Sequence, residues 1–329
     1  MKKKICLNMI VKNERAVLQR SLESTKPLID TWVIVDTGSS DGTQELIREV
    51  LKDVPGELHE RPWVDFSHNR NEALALAEGK ADYLLFLDAD DELVIEKGFH
   101  LPNLDKDFYL VRYVESLDGH THQNHTILLI NSRLPWKWEG VLHERLVSPS
   151  AATHEILPLI SNQIRHDGAR SQDLCKLDRD IELLQRAWKE NPNDSRTTYF
   201  LAETYFCKRD FSEAALFYEK RIQMGGSKEE MHRSLYCLGK CYCLLGKHDE
   251  MAKNYCKAYE FDPTRIEPLY DLAWTYLQKP GKKLLSYLLS RFAVGQLHCP
   301  PSSLRLQKWI YDWGIRDLFA LAKRTFEST

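Results

Sequence analysis

No stretch of the 329-residue chain is apolar for long enough to cross a bilayer. The beginning, Met1-Lys2-Lys3-Lys4 followed by Ile5 to Val11, has the outline of a secretory leader. Its apolar run is short, is broken by Asn8, and passes into Lys12-Asn13-Glu14-Arg15 without a small-residue cleavage site, so it reads better as a buried first strand. A cytoplasmic protein without a transmembrane segment is expected. Charge of one sign is not in excess either. Forty-five Lys and Arg stand against 48 Asp and Glu, a net charge of -3, which excludes the basic face of a nucleic-acid binder but leaves room for a local basic pocket that holds a diphosphate. Paired metal-binding cysteines are also missing. Cys237 and Cys241 share a helix face, but Cys241-Tyr242-Cys243 is a C-x-C with no second half. With Cys207 and Cys256 they are expected to be small buried residues between helices, in a reducing compartment rather than in a disulfide framework.

The length suggests two domains, and the two halves differ in pattern. In the first, apolar strands alternate with helices. Ile5–Val11, Trp32–Val35, Glu57–Glu60 and Tyr83–Leu87 read as strands, and Arg15–Ser24, Thr43–Leu51 and Phe66–Glu78 as helices. Continuous apolar strands between helices predict a mostly parallel sheet covered on both faces, with ligands gathering at the carboxyl ends of the strands. Asp36 and the cluster Asp88 to Asp91 both fall at such ends. From about Asp173 onward helix follows helix. Leu235, Leu238, Gly239, Tyr242, Tyr255, Ala258 and Pro263 match the tetratricopeptide pattern. Thr198, Leu201, Ala202, Tyr205, Ala214 and Tyr218 precede them in the same spacing, and Leu269, Leu272, Ala273 and Tyr276 follow. Ala187 and Pro192 mark a partial earlier unit, and the tail with Trp309, Tyr311, Trp313 and Leu318 is expected to cap the stack.

Asp88-Ala89-Asp90 is the central chemical feature. A buried strand delivers it to a sheet edge, and neighbouring carboxylates there need a cation or a proton to neutralise them. Oxygen ligands suit Mg²⁺ or Mn²⁺, which can bridge phosphate oxygens and neutralise a diphosphate leaving group.

Three segments, Ile34-Val35-Asp36-Thr37-Gly38-Ser39-Ser40-Asp41-Gly42-Thr43, His68-Asn69-Arg70-Asn71-Glu72-Ala73 and Leu87-Asp88-Ala89-Asp90-Asp91-Glu92-Leu93, together resemble the family 2 glycosyltransferases of the GT-A fold in order and spacing. The resemblance spans residues 4 to 170, and the attached repeats resemble a bacterial and viral subgroup. It implies that Asp36 binds the nucleoside, that Arg70 helps hold the base or diphosphate, and that Asp88, Ala89 and Asp90 manage metal and donor sugar. It also implies inversion at the anomeric carbon and, by family prevalence, a UDP-sugar. The residue chemistry agrees: a carboxylate such as Asp36 accepts from base N–H groups or ribose hydroxyls, and a guanidinium pairs with phosphate or stacks on a base. Asn13 or Glu14, leaving the first strand, would touch the nucleoside or else cap the next helix. Asp41 and Gly42 read as turn residues.

Further along, Trp136-Lys137-Trp138-Glu139-Gly140-Val141-Leu142-His143-Glu144 resembles the aromatic-x-Gly-x-x-His-Glu segment late in that subgroup. Inverting transfer needs a base, and Glu144 or His143 is the candidate unless the pair anchors a loop. Trp136 and Trp138 would offer flat faces to a sugar or else belong to the core. Family members often carry arginines in the strand before this segment. Here, in Thr126 to Arg133, only Arg133 stands, which points to a specialised acceptor side. His166, in Ile164-Arg165-His166-Asp167-Gly168, is the late histidine that GT-A enzymes often use as a further metal ligand, or a loop histidine bonded to backbone.

The expected architecture is therefore an α/β, Rossmann-like GT-A nucleotide-diphospho-sugar transferase domain over residues 1–170, followed by an all-α tetratricopeptide-like domain over 171–329. The expected activity is metal-dependent transfer from a nucleotide-sugar to an acceptor, which would be a protein, peptide or glycan. The repeats would hold that acceptor or another protein, or form a homodimer. Two alternatives stand: an inactive sugar-nucleotide-binding scaffold, and a nucleotidyltransferase, against which the absence of glycine from Asn8 to Glu14 counts.

Overall fold

The run Ile5–Val11, apolar except at Asn8, forms a strand, β1, at the heart of a computed structural model that describes residues 2–117, 120–300 and 306–328. β2 (Thr31–Asp36) and β4 (Tyr83–Phe86) flank β1, both parallel to it, and β3 (Gly56–Glu60) lies parallel outside β2. Between them run α1 (Leu18–Thr25), α2 (Thr43–Val50) and α3 (Phe66–Leu76). The alternation of side chains along β1 explains why its sequence is apolar on both faces, save for Asn8. Ile5, Leu7, Met9 and Val11 pack with Leu18 and Leu22 of α1 and Ile47 of α2 on one face. Cys6 packs on the other face with Val33, Leu84, Phe86 and Ala77. Asn8, on that second face, is satisfied by donating to the Ala73 carbonyl of α3 at 2.7 Å.

Beyond β4 the sheet departs from the mostly parallel expectation. β5 (Glu92–Ile95), β6 (Phe108–Leu117), β7 (His120–Asn131) and β10 (His154–Ile164) extend it to eight strands in the order β3-β2-β1-β4-β7-β6-β10-β5. Here β4–β7, β7–β6 and β10–β5 are antiparallel and only β6–β10 is parallel. A two-stranded ribbon, β8 (Lys137–Glu139) with β9 (Arg145–Val147), stands apart. All four parallel strands end on one edge, and that edge carries Asp36 and Asp88.

This unit runs up to Lys176, and a second begins at Leu177; the sequence placed the border at residue 170. The second unit consists of helices: α4 (Lys176–Glu190), α5 (Ser195–Cys207), α6 (Phe211–Met224), α7 (Lys228–Leu244), α8 (His248–Phe261), α9 (Glu267–Leu277), α10 (Lys283–Gly295) and α11 (Ile315–Glu327), the last entered through one π turn over Ile310–Gly314. The small residues of the repeat do what their pattern implies. Ala202 and Ala273 are fully buried, and a Cβ on Gly239 of α7 would lie 2.5 Å from the Tyr255 ring of α8. Tyr311 and Leu318 close the stack against Ile266, Leu269 and Ala273. Trp313 does not; it is 55% exposed, its ring touching only the edge of this cap at Trp309. Cys237 and Cys241 are buried as expected, whereas Cys207 and Cys256 lie on outward helix faces and are exposed. Among the described residues no disulfide forms, and no helix is long and apolar enough to cross a membrane.

Candidate active site

Asp36, the last residue of β2, is fully buried. One carboxylate oxygen accepts from the main-chain N–H of Gly38 at 2.9 Å and of Ser39 at 2.8 Å, which folds the exit loop back on the strand. The other oxygen is equally buried and meets no donor in the structure. Such an acceptor is costly unless a ligand supplies a hydrogen, and a ribose hydroxyl or base N–H has the right chemistry.

The neighbouring exit from β1 splits the two candidates that the sequence left open. Asn13 adopts a left-handed backbone (φ 55°) and knits two loops together: its N–H donates to Ser39 Oγ and its side-chain oxygen accepts from Ser40 N–H, both at 2.8 Å. Glu14 instead turns towards the acidic turn. Its carboxylate accepts from Ala169 N–H at 3.0 Å. Burial, and after it the charges of Asp90, Asp41 and Asp167, push its acid dissociation up to about 7. Asp41 and Gly42 are turn residues as read: Asp41 accepts from Thr43 N–H, and Gly42 has φ 89°.

At the tip of β4, Asp88 is the exposed member of the acidic turn and Asp91 the buried one. Asn162 of β10 donates to Asp91 at 2.8 Å, and burial together with Asp88 pushes Asp91 up to about 8. Asp90 accepts from Gly168 N–H at 3.2 Å, and Ala89, between the two outward carboxylates, is buried.

Arg70, rising from α3, joins this turn to the late segment. Its Nη2 donates to Asp88 at 2.6 Å and its Nε to Glu144 at 2.5 Å. Burial works against its charge, but Asp88 and Glu144 hold its dissociation above the ordinary arginine value. The guanidinium lies over the Trp138 ring, 4.9 Å from its centroid, and Asn71 fixes that tryptophan by hydrogen bonds to its N–H and carbonyl, both 2.9 Å. Arg70, Asp88, Glu144 and Trp138 thus form one assembly.

Other sequence candidates lie differently. His143 is exposed with φ 53°, while Glu144 is the residue in the assembly. Arg70 lies over the Trp138 ring, which also meets Phe86 in a T-shaped contact; Trp136 donates to the Asn131 carbonyl and meets Phe108 in another. Both are half-buried and make packing contacts. His166 turns to Glu115 of β6 rather than to the acidic turn. Arg133 pairs with Asp82, which precedes β4 and so lies at the edge of the sheet opposite Asp88.

The oxygen donors of Asp88 and Asp90 suit a hard divalent cation. Each uses one oxygen on a protein donor and keeps another; burial first, and then the neighbouring carboxylates, raise the dissociation of Glu14 and Asp91 beside them. Among the described residues no three carboxylate, imidazole or thiolate groups could hold an ion by themselves. The remaining ligands would be phosphate oxygens and water, as at many Mg²⁺ sites. Sequence reading missed Arg20, Ser21, Gly168 and Asn162, which hold this arrangement from behind. They belong to no recognisable motif.

A sheet whose parallel tips gather a buried, half-satisfied aspartate and a cation-suited acidic turn is that of the GT-A class, here followed by tetratricopeptide-like helix pairs. Residues 6–97 match the model of glycosyl transferase family 2. The chain is similar to a TPR repeat-containing protein of Synechococcus elongatus, 41% identical over 93 residues that make up 28% of this chain and 22% of that protein. It is also similar to the SPbeta prophage-derived glycosyltransferase SunS of Bacillus subtilis, 24% identical over 233 residues, 66% of this chain and 52% of SunS. The chain thus spans about half or less of the length of these curated relatives. Among solved structures, YrrB, a TPR protein with an unusual peptide-binding site, is a distant likeness: TM-score 0.36, 18% identity, 46% of this chain and 69% of that one.

Proposed function

We propose that the chain is a glycosyltransferase that moves a sugar from a nucleotide-sugar, a UDP-sugar by family prevalence, to a nucleophile on a protein, peptide or glycan acceptor, with inversion. The observation that carries this reading is Arg70. One guanidinium binds Asp88 of the acidic turn and Glu144 of the late segment, so the donor-holding carboxylate and the candidate base lie within the span of a single side chain.

In this reading the unpartnered oxygen of Asp36 accepts from the nucleoside. Asp88 and Asp90 hold a divalent cation, Mn²⁺ or Mg²⁺, which supplies neutralisation of the departing diphosphate. Glu144, oriented by Arg70, takes the proton from the acceptor hydroxyl as its oxygen bonds to the anomeric carbon. The bond from that carbon to the diphosphate oxygen breaks, and the nucleoside diphosphate leaves with the electron pair. The helical unit would present the acceptor or a protein partner, as a second copy or otherwise.

Asp90→Ala is expected to lower turnover by about 10²–10³, the scale of removing a main electrostatic stabiliser. Its melting temperature should hold or rise, because like charges are relieved. Transfer and donor hydrolysis are measured with nucleotide-sugars and Mn²⁺, with and without chelator. Full activity in chelator would refute the metal role. Donor binding without any turnover would leave a sugar-nucleotide-binding scaffold.

A further inference from the structure

Helix α1 begins seven residues after β1 and carries three polar side chains on one side: Arg20, Ser21 and Ser24. All three bind the backbone of the acidic segment. Ser21, fully buried, donates its hydroxyl to the Asp88 carbonyl at 3.1 Å. Arg20 donates through Nη2 to the Asp90 carbonyl. Ser24 accepts from Leu93 N–H at 3.1 Å. A helix of eight residues thus fixes the path of the chain on both sides of Asp88-Ala89-Asp90.

Arg20 does more than its neighbours. The same guanidinium forms a two-pronged pair with Asp167, one prong at 2.7 Å. Asp167 belongs to the loop that leaves β10, and that loop lies along the acidic turn: Gly168 N–H reaches Asp90 and Ala169 N–H reaches Glu14. The fit is close. A Cβ on Gly168 would fall 2.9 Å from a Glu14 oxygen and 3.0 Å from Asp90. Arg170 then passes over the Phe66 ring of α3 at 4.7 Å, and Arg165 pairs with Glu92 at 2.6 Å. The loop therefore crosses from α1 to α3 along the acidic turn, and Arg20 attaches it to that turn through a fork-shaped ion pair.

We propose that Arg20 is a positioning residue that ties the acidic turn to the 165–170 loop, and so sets the geometry in which Asp88 and Asp90 receive a cation-bound nucleoside diphosphate. The proposal rests on the reading of the acidic turn as the donor site. The protein partners of the Arg20 guanidinium are the Asp90 carbonyl and the Asp167 carboxylate. Arg20 acts through these two, and its planar fork serves both at once, which a lysine cannot do.

The test uses the full chain and Mn²⁺ with UDP as the probe. Free Mn²⁺ is followed by its paramagnetic resonance signal during titration, and melting temperature is recorded in parallel. Arg20→Ala should weaken Mn²⁺–UDP binding about 10–100-fold, the usual effect of removing a residue that orients metal-binding groups. Arg20→Lys should fall in between, and methylguanidinium should restore part of the affinity to Arg20→Ala, a rescue that a generally loosened fold would not show. Asp167→Asn, at an exposed side chain, keeps the test available if Arg20→Ala folds poorly; it should weaken binding in the same direction by a smaller factor. Wild-type binding with all three variants within twofold of it would overturn the positioning role and leave the donor-site reading in place. No binding of Mn²⁺–UDP by the wild type would overturn the donor-site reading, and the positioning role with it.

Discussion

A carboxylate that is buried beside other carboxylates is a liability that shows in the pH dependence of stability. Glu14, half-buried and near Asp90, Asp41 and Asp167, is a milder case. Its dissociation is pushed from the ordinary 4.5 up to about 7 by burial and then by Asp90, Asp41 and Asp167. Below the unfolded value both states hold the proton and nothing is lost. As pH rises from about 4.5 to about 7, the unfolded chain gives up the proton while the folded chain keeps it, so stability falls and stays lower above that window. Glu14→Gln keeps an oxygen for Ala169 N–H and removes the titration. Denaturant unfolding at pH 5 and pH 8 should show the variant gaining on the wild type by on the order of 1 kcal/mol between the two, since solvent screens part of the effect at a half-buried group. A difference that is the same at both pH values would remove the buried-charge account. The sequence named Glu14 but left it level with Asn13, because residue type and spacing do not say which way a side chain turns. The left-handed backbone of Asn13 decides that, and the same kind of backbone turn accompanies the diversion of His166 to Glu115.

Elements were legible where a single physical rule governs them. β1, β2 and β4 are buried on both faces, so their apolar runs are nearly continuous, with Asn8 the one break inside β1. α1 was placed from Leu18 and Leu22, both fully buried, but the same pattern is silent about Arg20 and Ser21, whose partners, the Asp88 and Asp90 carbonyls and the Asp167 carboxylate, lie far along the chain. β6, β7 and β10 were harder to read. β10 is largely exposed along its first half and slips register between Ile156 and Ser161, with Leu159 at φ 60°. No alternation survives such a bulge. In the helical unit the small residues of the repeat were the informative ones, and they give a paired test. Gly239→Ala gains about 1 kcal/mol of helix propensity, but its methyl would sit 2.5 Å from the Tyr255 ring. Overpacking costs about 1–3 kcal/mol or more, so the melting temperature should fall. Gly295→Ala, at the end of α10 with nothing within 4 Å of the added methyl, should leave it level or raise it. Equal responses at the two positions would mean that Gly239 is not a packing residue.

At the scale of the whole molecule, the change of pattern near residue 173 announced two units before any coordinates. Parallel α/β units make their sites from strand tips, so the acidic motifs could be assigned to one edge from sequence alone. What the pattern could not supply was the half-satisfied state of Asp36, and that state allows a prediction about the intact chain. A ligand that binds only the folded protein stabilises it by about 2.7 kcal/mol at a hundred times its dissociation constant, which for a unit of this size is about 5–10 °C in melting temperature. UDP with Mn²⁺ should produce such a shift in a thermal scan, and UDP alone a smaller one, if Asp88 and Asp90 hold the diphosphate through a cation as proposed. Asp36→Asn should remove most of the shift. An amide can offer only one oxygen, which the Gly38 and Ser39 N–H groups already engage, and its NH₂ would face the nucleoside where an acceptor is needed. Without ligand the variant should melt close to the wild type, since the loop-closing oxygen is kept. If Asp36→Asn responds to UDP and Mn²⁺ as the wild type does, the buried oxygen is not the nucleoside contact, and the donor must lie elsewhere along the edge.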